Sequence, residues 1–420
     1  MNLRESKSLE FKSAISDSFL KTVSAFANFG TGEIVFGIYD KGNVTGLTNP
    51  IKACLIIENK INDCIKPVPQ YNLDVNSKNN TVTLKVFEGL DKPYTYKNKA
   101  YKRNDSSTIE VEKIEYNRLI LEGQNLDYDE IPSKKQNLQF KEFEKQLIDK
   151  LQISSLSKDI LKTLELFNDK TGFNIAAELL ADANSFSGID IVRFGTDIDE
   201  FLDRLTLEKI SVLKMYNSAL EFYKRYYQYE KIIKSKRVTI ETIPEVAYRE
   251  AIINAVVHRT WDVSVSIKVS MFTDRIEICS PGGLPAGLSK EEYLNGKFSL
   301  LRNKTLGNVL LRLGYIEKFG TGINRIKKAY SDSPNKPRFE ILDNSISVIL
   351  PIITINSKLR PVEEEVFNLF LTNRLFTRAE IEKETSLNKD KMIRILNKLI
   401  QLGKISKIGK GKDTKYGLIK

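Results

Sequence analysis

Apolar and polar positions along the chain fall into stretches of period two and stretches of period three to four, which mark strands and helices. Residues 8–12 predict a short strand, 14–29 an amphipathic helix, and 32–40 a core strand that Lys41, Gly42 and Asn43 turn back into 44–47. A second helix over 51–65 precedes strands near 71–75 and 81–87, so the first 125 residues read as mixed α/β. Residues 94–103 interleave Tyr94, Tyr96 and Tyr101 with Lys97, Lys99, Lys102 and Arg103. That pattern suits an exposed β-hairpin, and equally suits phosphate contact with base stacking. A polar stretch over 124–139, with Pro132 and the pair Lys134 and Lys135, reads as a linker. Beyond it the pattern predicts helices over 140–184, with 156–184 a candidate small helix-turn-helix, then a strand over 189–196 and one long helical region over 201–236.

The helix expected at 245–258 is polar along one line only. Glu250, Asn254 and His258 recur every four positions, and four-residue spacing stacks side chains on one helical face. Ala251, Ile252, Ile253, Ala255, Val256 and Val257 fill nearly all the rest, so the helix reads as buried on most sides. The line is either a thin solvent stripe or a row of groups facing a ligand or metal. After a turn at Asp262, residues 264–271 and 275–279 alternate like paired strands. Residues 281–287 then break regular structure with five Gly or Pro in seven. Farther on, Gly320 and Gly322 stand directly before a basic helical segment. Glycines there let backbone N–H groups approach an anion at a helix N-terminus, where the dipole also favours negative charge. A loop over 331–337 and strands over 339–353 close this region.

Residues 360–420 have winged helix-turn-helix organisation. Pro361 opens a first helix, Thr377 and Glu380 form a capping box for a second, and Asn388 caps a third whose apolar face is Met392, Ile395, Leu396, Leu399 and Ile400. Two short strands about a Gly/Lys turn make the wing. Lys389, Lys391, Arg394 and Lys398 are expected on the outer face of the third helix, where a major-groove reader needs cations, with Lys407, Lys410 and Lys412 on the wing against phosphates. Winged helices also serve as protein-binding modules, and that alternative stays open.

Composition narrows the compartment and the partner. A chain of 420 residues with 41% hydrophobic and 28% charged residues fits two to four ordinary domains. No run approaches ~20 apolar residues, so no membrane span is expected, and residues 1–7 lack the apolar core of a secretory signal. One histidine and three scattered cysteines exclude a His/Cys zinc site, and the odd thiol count suits a reduced cytoplasm. Net charge of +11, with a pI near 9.2, favours nucleic acid as partner. A lysine-rich proteome would raise the charge too. The ten Lys/Arg against two Asp between Lys389 and Lys420 are too concentrated to be background.

The stretch over 243–330 resembles the GHKL ATPase fold of gyrase and histidine kinases. More closely, it resembles the divergent form in bacterial ATP-dependent transcriptional regulators with RecG-like C-terminal domains. The resemblance implies that Asn254 holds Mg²⁺, that Glu250 orients an attacking water, and that Gly282 and Gly283 form a first glycine box. It implies that Gly320, Thr321 and Gly322 form a second box, that His258 borders the nucleotide, and that 300–304 belongs to a lid. Ser280 and Pro281 stand where the family has the aspartate that reads the adenine amine.

Residues 1–125 resemble the AlbA-like domain of the Schlafen family, through Glu5, Glu10 and Lys12, through 25–28 before a glycine turn, and through 32–37. In nuclease-active Schlafens two glutamates and an aspartate hold Mg²⁺ or Mn²⁺, and these would fall on Glu5, Glu10 and Asp40. Without nuclease chemistry, Glu10 pairs with Lys12 and Asp40 starts a turn.

The fold expected is therefore α+β multidomain. A Schlafen/AlbA-like α/β domain (1–125) and a linker (126–138) lead to a middle region (139–237) continuous with a GHKL-like sandwich of helices on a mixed sheet (238–354). The winged helix-turn-helix (360–420) closes the chain. The function expected is an ATP-binding, DNA-binding cytoplasmic transcriptional regulator switched by nucleotide, acting as a dimer or larger homo-oligomer. The alternative is a metal-dependent nuclease on tRNA, other RNA or DNA in stress or phage defence.

Overall fold

The structure, a computed structural model, describes residues 4–39, 42–233, 236–285, 287–296, 300–317, 320–353, 359, 361–370, 374–401, 404–409 and 414–418. It is mixed α+β, with separate hydrophobic cores along the chain.

The first core is built by β1 (Leu9–Lys12), α1 (Phe19–Phe29), β2 (Gly32–Phe36), α2 (Pro50–Cys64), β3 (Ile65–Lys66), β4 (Tyr71–Asn76) and β5 (Thr81–Val86). Then come β6 (Thr95–Tyr96), β7 (Tyr101–Asn104), β8 (Ser107–Glu110) and α3 (Lys113–Gly123). The main sheet has the order β1-β2-β5-β4, parallel between β1 and β2 and antiparallel elsewhere. Phe19, Leu20, Val23 and Phe26 of α1 bury against Ile34, Phe36, Val82, Leu84 and Val86. Tyr94, Tyr96 and Tyr101 join the same core, which corrects both readings of the interleaved segment: its aromatic rings face inward and offer no stacking platform. Buried Asn28 holds the backbone of Tyr94. Its amide nitrogen donates to the Tyr94 carbonyl, and its oxygen accepts from the Tyr94 N–H, each at 2.8 Å.

The stretch read as a linker is packed rather than free. It holds a 3-10 turn (Tyr128–Glu130) whose Asp129 is fully buried and accepts the Leu306 N–H at 2.8 Å. Next come α4 (Lys141–Leu151), α5 (Lys158–Thr163), the hairpin β9 (Phe167–Asn168) and β10 (Gly172–Phe173), and α6 (Ile175–Leu180). The hairpin between α5 and α6 replaces the expected helix-turn-helix connection. The single long helix expected over 201–236 is instead three elements. After β11 (Ile189–Phe194) come β12 (Phe201–Leu207), α7 (Val212–Tyr227) and β13 (Gln228–Ile233), the last paired with β14 (Lys236–Glu241). Leucines at 202, 205 and 207 fit either period, and pairing with β11 decides for strand.

The remaining elements of this core are α8 (Glu245–His258), β15 (Ile267–Met271), β16 (Arg275–Pro281), α9 (Lys290–Asn295), α10 (Lys304–Arg312), α11 (Gly322–Ala329), β17 (Arg338–Leu342) and β18 (Ser345–Pro351). Six strands form one sheet, β12-β11-β15-β16-β18-β17, parallel only between β11 and β15. One buried cluster runs from Phe143 to Leu350, so the middle region and the glycine-box region share a core. Ile252, Ile253, Val256 and Val257 are β-branched and weak helix formers, so burial rather than propensity holds α8. The Glu241 carboxylate accepts the Glu245 N–H at its start. At its end Arg259, almost fully buried, donates to the carbonyls of Ser187, Val263 and Val265.

The last core comprises α12 (Pro361–Phe370), β19 (Phe376–Thr377), α13 (Arg378–Thr385), α14 (Lys389–Gln401), β20 (Ile405–Ile408) and β21 (Lys415–Leu418), with strand order β19-β21-β20. Both halves of the Thr377/Glu380 capping box are made, and Asn388 accepts the Lys391 N–H at 3.0 Å. Met392, Ile395, Leu396 and Leu399 are buried against Val366, Phe370 and Ile381. Among the described residues no helix is long and apolar enough to cross a membrane.

Candidate functional site

A cavity, partly open to solvent, lies between α8 and α11. The four-residue period of α8 turns Glu250, Asn254 and His258 into it, and the start of α11 contributes Gly320, Thr321 and Gly322. Gly283, Leu288, Tyr293, Leu300 and Leu301 also line it. A deeper cavity, lined by Asn254, His258, Ser280, Gly282, Tyr293 and Ile346, continues between α8 and the sheet. The three polar residues of α8 and the residues of both glycine boxes therefore border one or other of two adjoining cavities.

The glycines differ in what they permit. A Cβ on Gly322 would stand 2.8 Å from Asn254 Nδ2 and 2.9 Å from Glu250 Oε2, so the start of α11 lies directly on the polar line of α8. Gly320 has φ of 63°, the left-handed turn that admits the chain into the helix. Gly282 and Gly283 are small for a different reason. Side chains there would meet Thr260 Oγ1 at 2.0 Å and the Asp343 carbonyl at 2.2 Å, and Gly282 also has φ of 110°.

Among the described residues, the outer cavity wall carries the carboxylates of Glu250 and Glu317 and the guanidinium of Arg325, which pairs with both. Burial, with the Arg302 cation adding to it, holds the His258 imidazole down at about 4, so it is neutral at pH 7. Burial pushes the Tyr293 phenol up to about 12. Arg302 donates to Thr260 Oγ1 at 3.1 Å and to the Gly283 carbonyl at 2.6 Å. Buried Asn303 donates to the carbonyls of Val257 and Arg259. The stretch expected to be a lid is thus anchored at Arg302 and Asn303, while Leu300 and Leu301 border the cavity. Ser280 donates its hydroxyl to the Ala255 carbonyl at 2.9 Å. No carboxylate lines the deeper cavity among the described residues. Sequence reasoning missed Tyr293, Glu317 and Arg325, all on the wall of the outer cavity. Arg325 carried a signal, standing in the first turn after the second glycine box.

The N-terminal carboxylates are engaged otherwise. Glu10, 4% exposed, accepts from Arg103 at 2.6 Å, pairs with Lys12 at 2.6 Å through its other oxygen, and accepts from the Thr22 hydroxyl. Glu5 accepts the Phe11 N–H at 2.9 Å. Asp40 lies outside the described residues. Among the described residues, an acidic trio close enough to share an ion is Asp127, Asp129 and Glu130. In the C-terminal module Lys389, Lys391, Arg394 and Lys407 are exposed, and Lys410 and Lys412 lie outside the described residues. Lys398 is corrected: it pairs with buried Glu363 at 2.6 Å, back toward α12.

Residues 5–112 match the family model described as Schlafen, AlbA_2. Residues 265–350 match the model described as "Putative ATP-dependent DNA helicase recG C-terminal". No curated protein matches the chain. Among solved structures, the DIP2311 protein from Corynebacterium diphtheriae aligns over 98% of this chain and 92% of its own, at 18% identity and a TM-score of 0.49. The N-terminal domain of a "Putative ATP-dependent DNA Helicase RecG-related Protein" from Nitrosomonas europaea covers 25% of this chain and 79% of its own, at 22% identity and a TM-score of 0.18. At these TM-scores neither likeness bears on fold or function.

Proposed function

We propose that this chain binds ATP with Mg²⁺ in the cavity between α8 and α11 and engages nucleic acid, acting as a DNA-binding transcriptional regulator whose state follows the nucleotide. The carrying observation is that one cavity gathers Glu250 and Asn254 from α8 with Gly320, Thr321 and Gly322 at the start of α11. The first turn of α11 offers N–H groups and the positive end of its dipole to phosphates. Asn254 would hold Mg²⁺ through its amide oxygen, and the ion would neutralise phosphate charge. The base would enter the deeper cavity, where the Ser280 hydroxyl can accept an exocyclic amine while donating to Ala255. The two family models, with their Schlafen and helicase names, support a nucleic-acid-related ATPase. The helices α12 to α14 and the hairpin β20–β21 are read as a winged helix that presents Lys389, Lys391, Arg394 and Lys407 to DNA.

The nuclease alternative through Glu5, Glu10 and Asp40, with Mg²⁺ or Mn²⁺, is less favoured. Both Glu10 oxygens already face cations, which leaves that carboxylate poorly placed to hold a metal.

Calorimetric titration with Mg²⁺ and ATP, and with GTP beside it, tests the reading. Wild type binds, Asn254→Ala loses Mg-dependent binding while keeping its unfolding temperature, and Gly322→Val blocks phosphate approach. Absence of binding by wild type at millimolar nucleotide contradicts the proposal.

A further inference from the structure

Arg325 stands one turn into α11 and reaches back to α8. Its Nη1 donates to Glu250 Oε1 at 2.8 Å, and its Nη2 pairs with Glu317. The other Glu250 oxygen lies 2.9 Å from where a Cβ on Gly322 would stand. The carboxylate expected to orient water is therefore engaged by Arg325 through one oxygen in this structure, its side chain only 14% exposed. A carboxylate paired with a guanidinium is a poor acceptor for a water proton, because the cation stabilises its charge. Arg325 itself borders the outer cavity, and its side chain is 34% exposed.

The two cavities order these groups. Asn254 and His258 line both the deep and the outer cavity, whereas Glu250, Glu317 and Arg325 line only the outer one. With the base in the deep cavity, the phosphate farthest from it lies nearest Glu250 and Arg325. A terminal phosphate carries more charge than a carboxylate and meets the planar guanidinium fork equally well.

We infer that Arg325 is the positioning residue that distinguishes a nucleoside triphosphate from a diphosphate, by exchanging its Glu250 partner for the terminal phosphate and so freeing Glu250. The inference rests on the nucleotide reading above and adds to it a residue and a direction of change. A diphosphate does not reach Arg325 and leaves the Glu250 pair intact. A triphosphate takes Arg325, and Glu250 then turns an uncompensated oxygen to the cavity.

The test is calorimetry on the full chain with ATP and ADP, each with Mg²⁺, on wild type, Arg325→Gln, Arg325→Lys and Glu250→Gln. Each variant's unfolding temperature is read first. Wild type prefers ATP over ADP by about tenfold or more, the scale of one charge-assisted contact. Arg325→Gln removes that preference by weakening ATP and leaves ADP binding unchanged. Arg325→Lys retains part of it. Glu250→Gln, which deletes the competing carboxylate, tightens ATP without changing ADP. A merely structural Arg325 would move both nucleotides together or neither. An unchanged ATP/ADP ratio in Arg325→Gln, or weakened ATP in Glu250→Gln, overturns the inference while leaving the nucleotide site standing. Failure of wild type to bind either nucleotide overturns both.

Discussion

Glu10 is nearly buried and faces Arg103, Lys12 and the Thr22 hydroxyl, joining β1, α1 and β7. Arg103 is equally buried, so removing the carboxylate charge leaves a guanidinium without its counter-ion. Glu10→Gln is expected to destabilise by about 3 kcal/mol, read as a fall in the denaturation midpoint. Loss of any nuclease activity in that variant would then report unfolding as much as chemistry. Asp129 makes a pH argument. Burial raises its carboxyl to about 7, against which the Leu306 N–H and the start of α10 act. A folded value above the unfolded one favours the fold at acid pH, and that contribution is lost as pH rises from about 4 through 7. Asp129→Asn should therefore be more stable than wild type at pH 8 and lose the advantage at pH 4, measured by denaturant titration at both values. An equal difference at both pH values would exclude a titrating Asp129.

Among the elements, α8 was legible because three polar residues at four-residue spacing interrupt an otherwise apolar run. Its partner across the cavity was legible as a glycine pair before a basic helix. What joins them was not. Arg325 meets Glu250 from 75 residues away, and Tyr293 reaches the cavity from α9, so both depend on packing that local periodicity does not carry. The same limit explains β12, whose leucines fit a helix until β11 pairs with it, and Tyr94, Tyr96 and Tyr101, whose alternation hid which face was inside. In α14 the periodicity gave the buried face correctly but could not show that Lys398 has a partner on α12. The cations thus divide into two kinds. Arg394→Ala and Lys391→Ala should each reduce the slope of log affinity for duplex DNA against log salt by about 1. Lys398→Ala should leave that slope near wild type and cost about 2 kcal/mol of stability in the module instead. Equal slope changes for all three would place Lys398 on the DNA.

At the scale of the whole molecule, the central claim is that nucleotide and nucleic acid meet on one chain and that the first sets the affinity for the second. The N-terminal elements and the core that holds the cavity are joined by a defined contact. Arg118 of α3 pairs with Asp262 just past the end of α8, and Asp129 holds the start of α10 beside the cavity. The direct measurement is duplex-DNA affinity by fluorescence anisotropy at fixed salt, without nucleotide and with saturating Mg²⁺ and ATP, for wild type and Asn254→Ala. The account predicts that ATP shifts the wild-type dissociation constant several-fold and leaves that of Asn254→Ala where it was. Identical isotherms for wild type with and without ATP, at a concentration shown by calorimetry to fill the site, would contradict it.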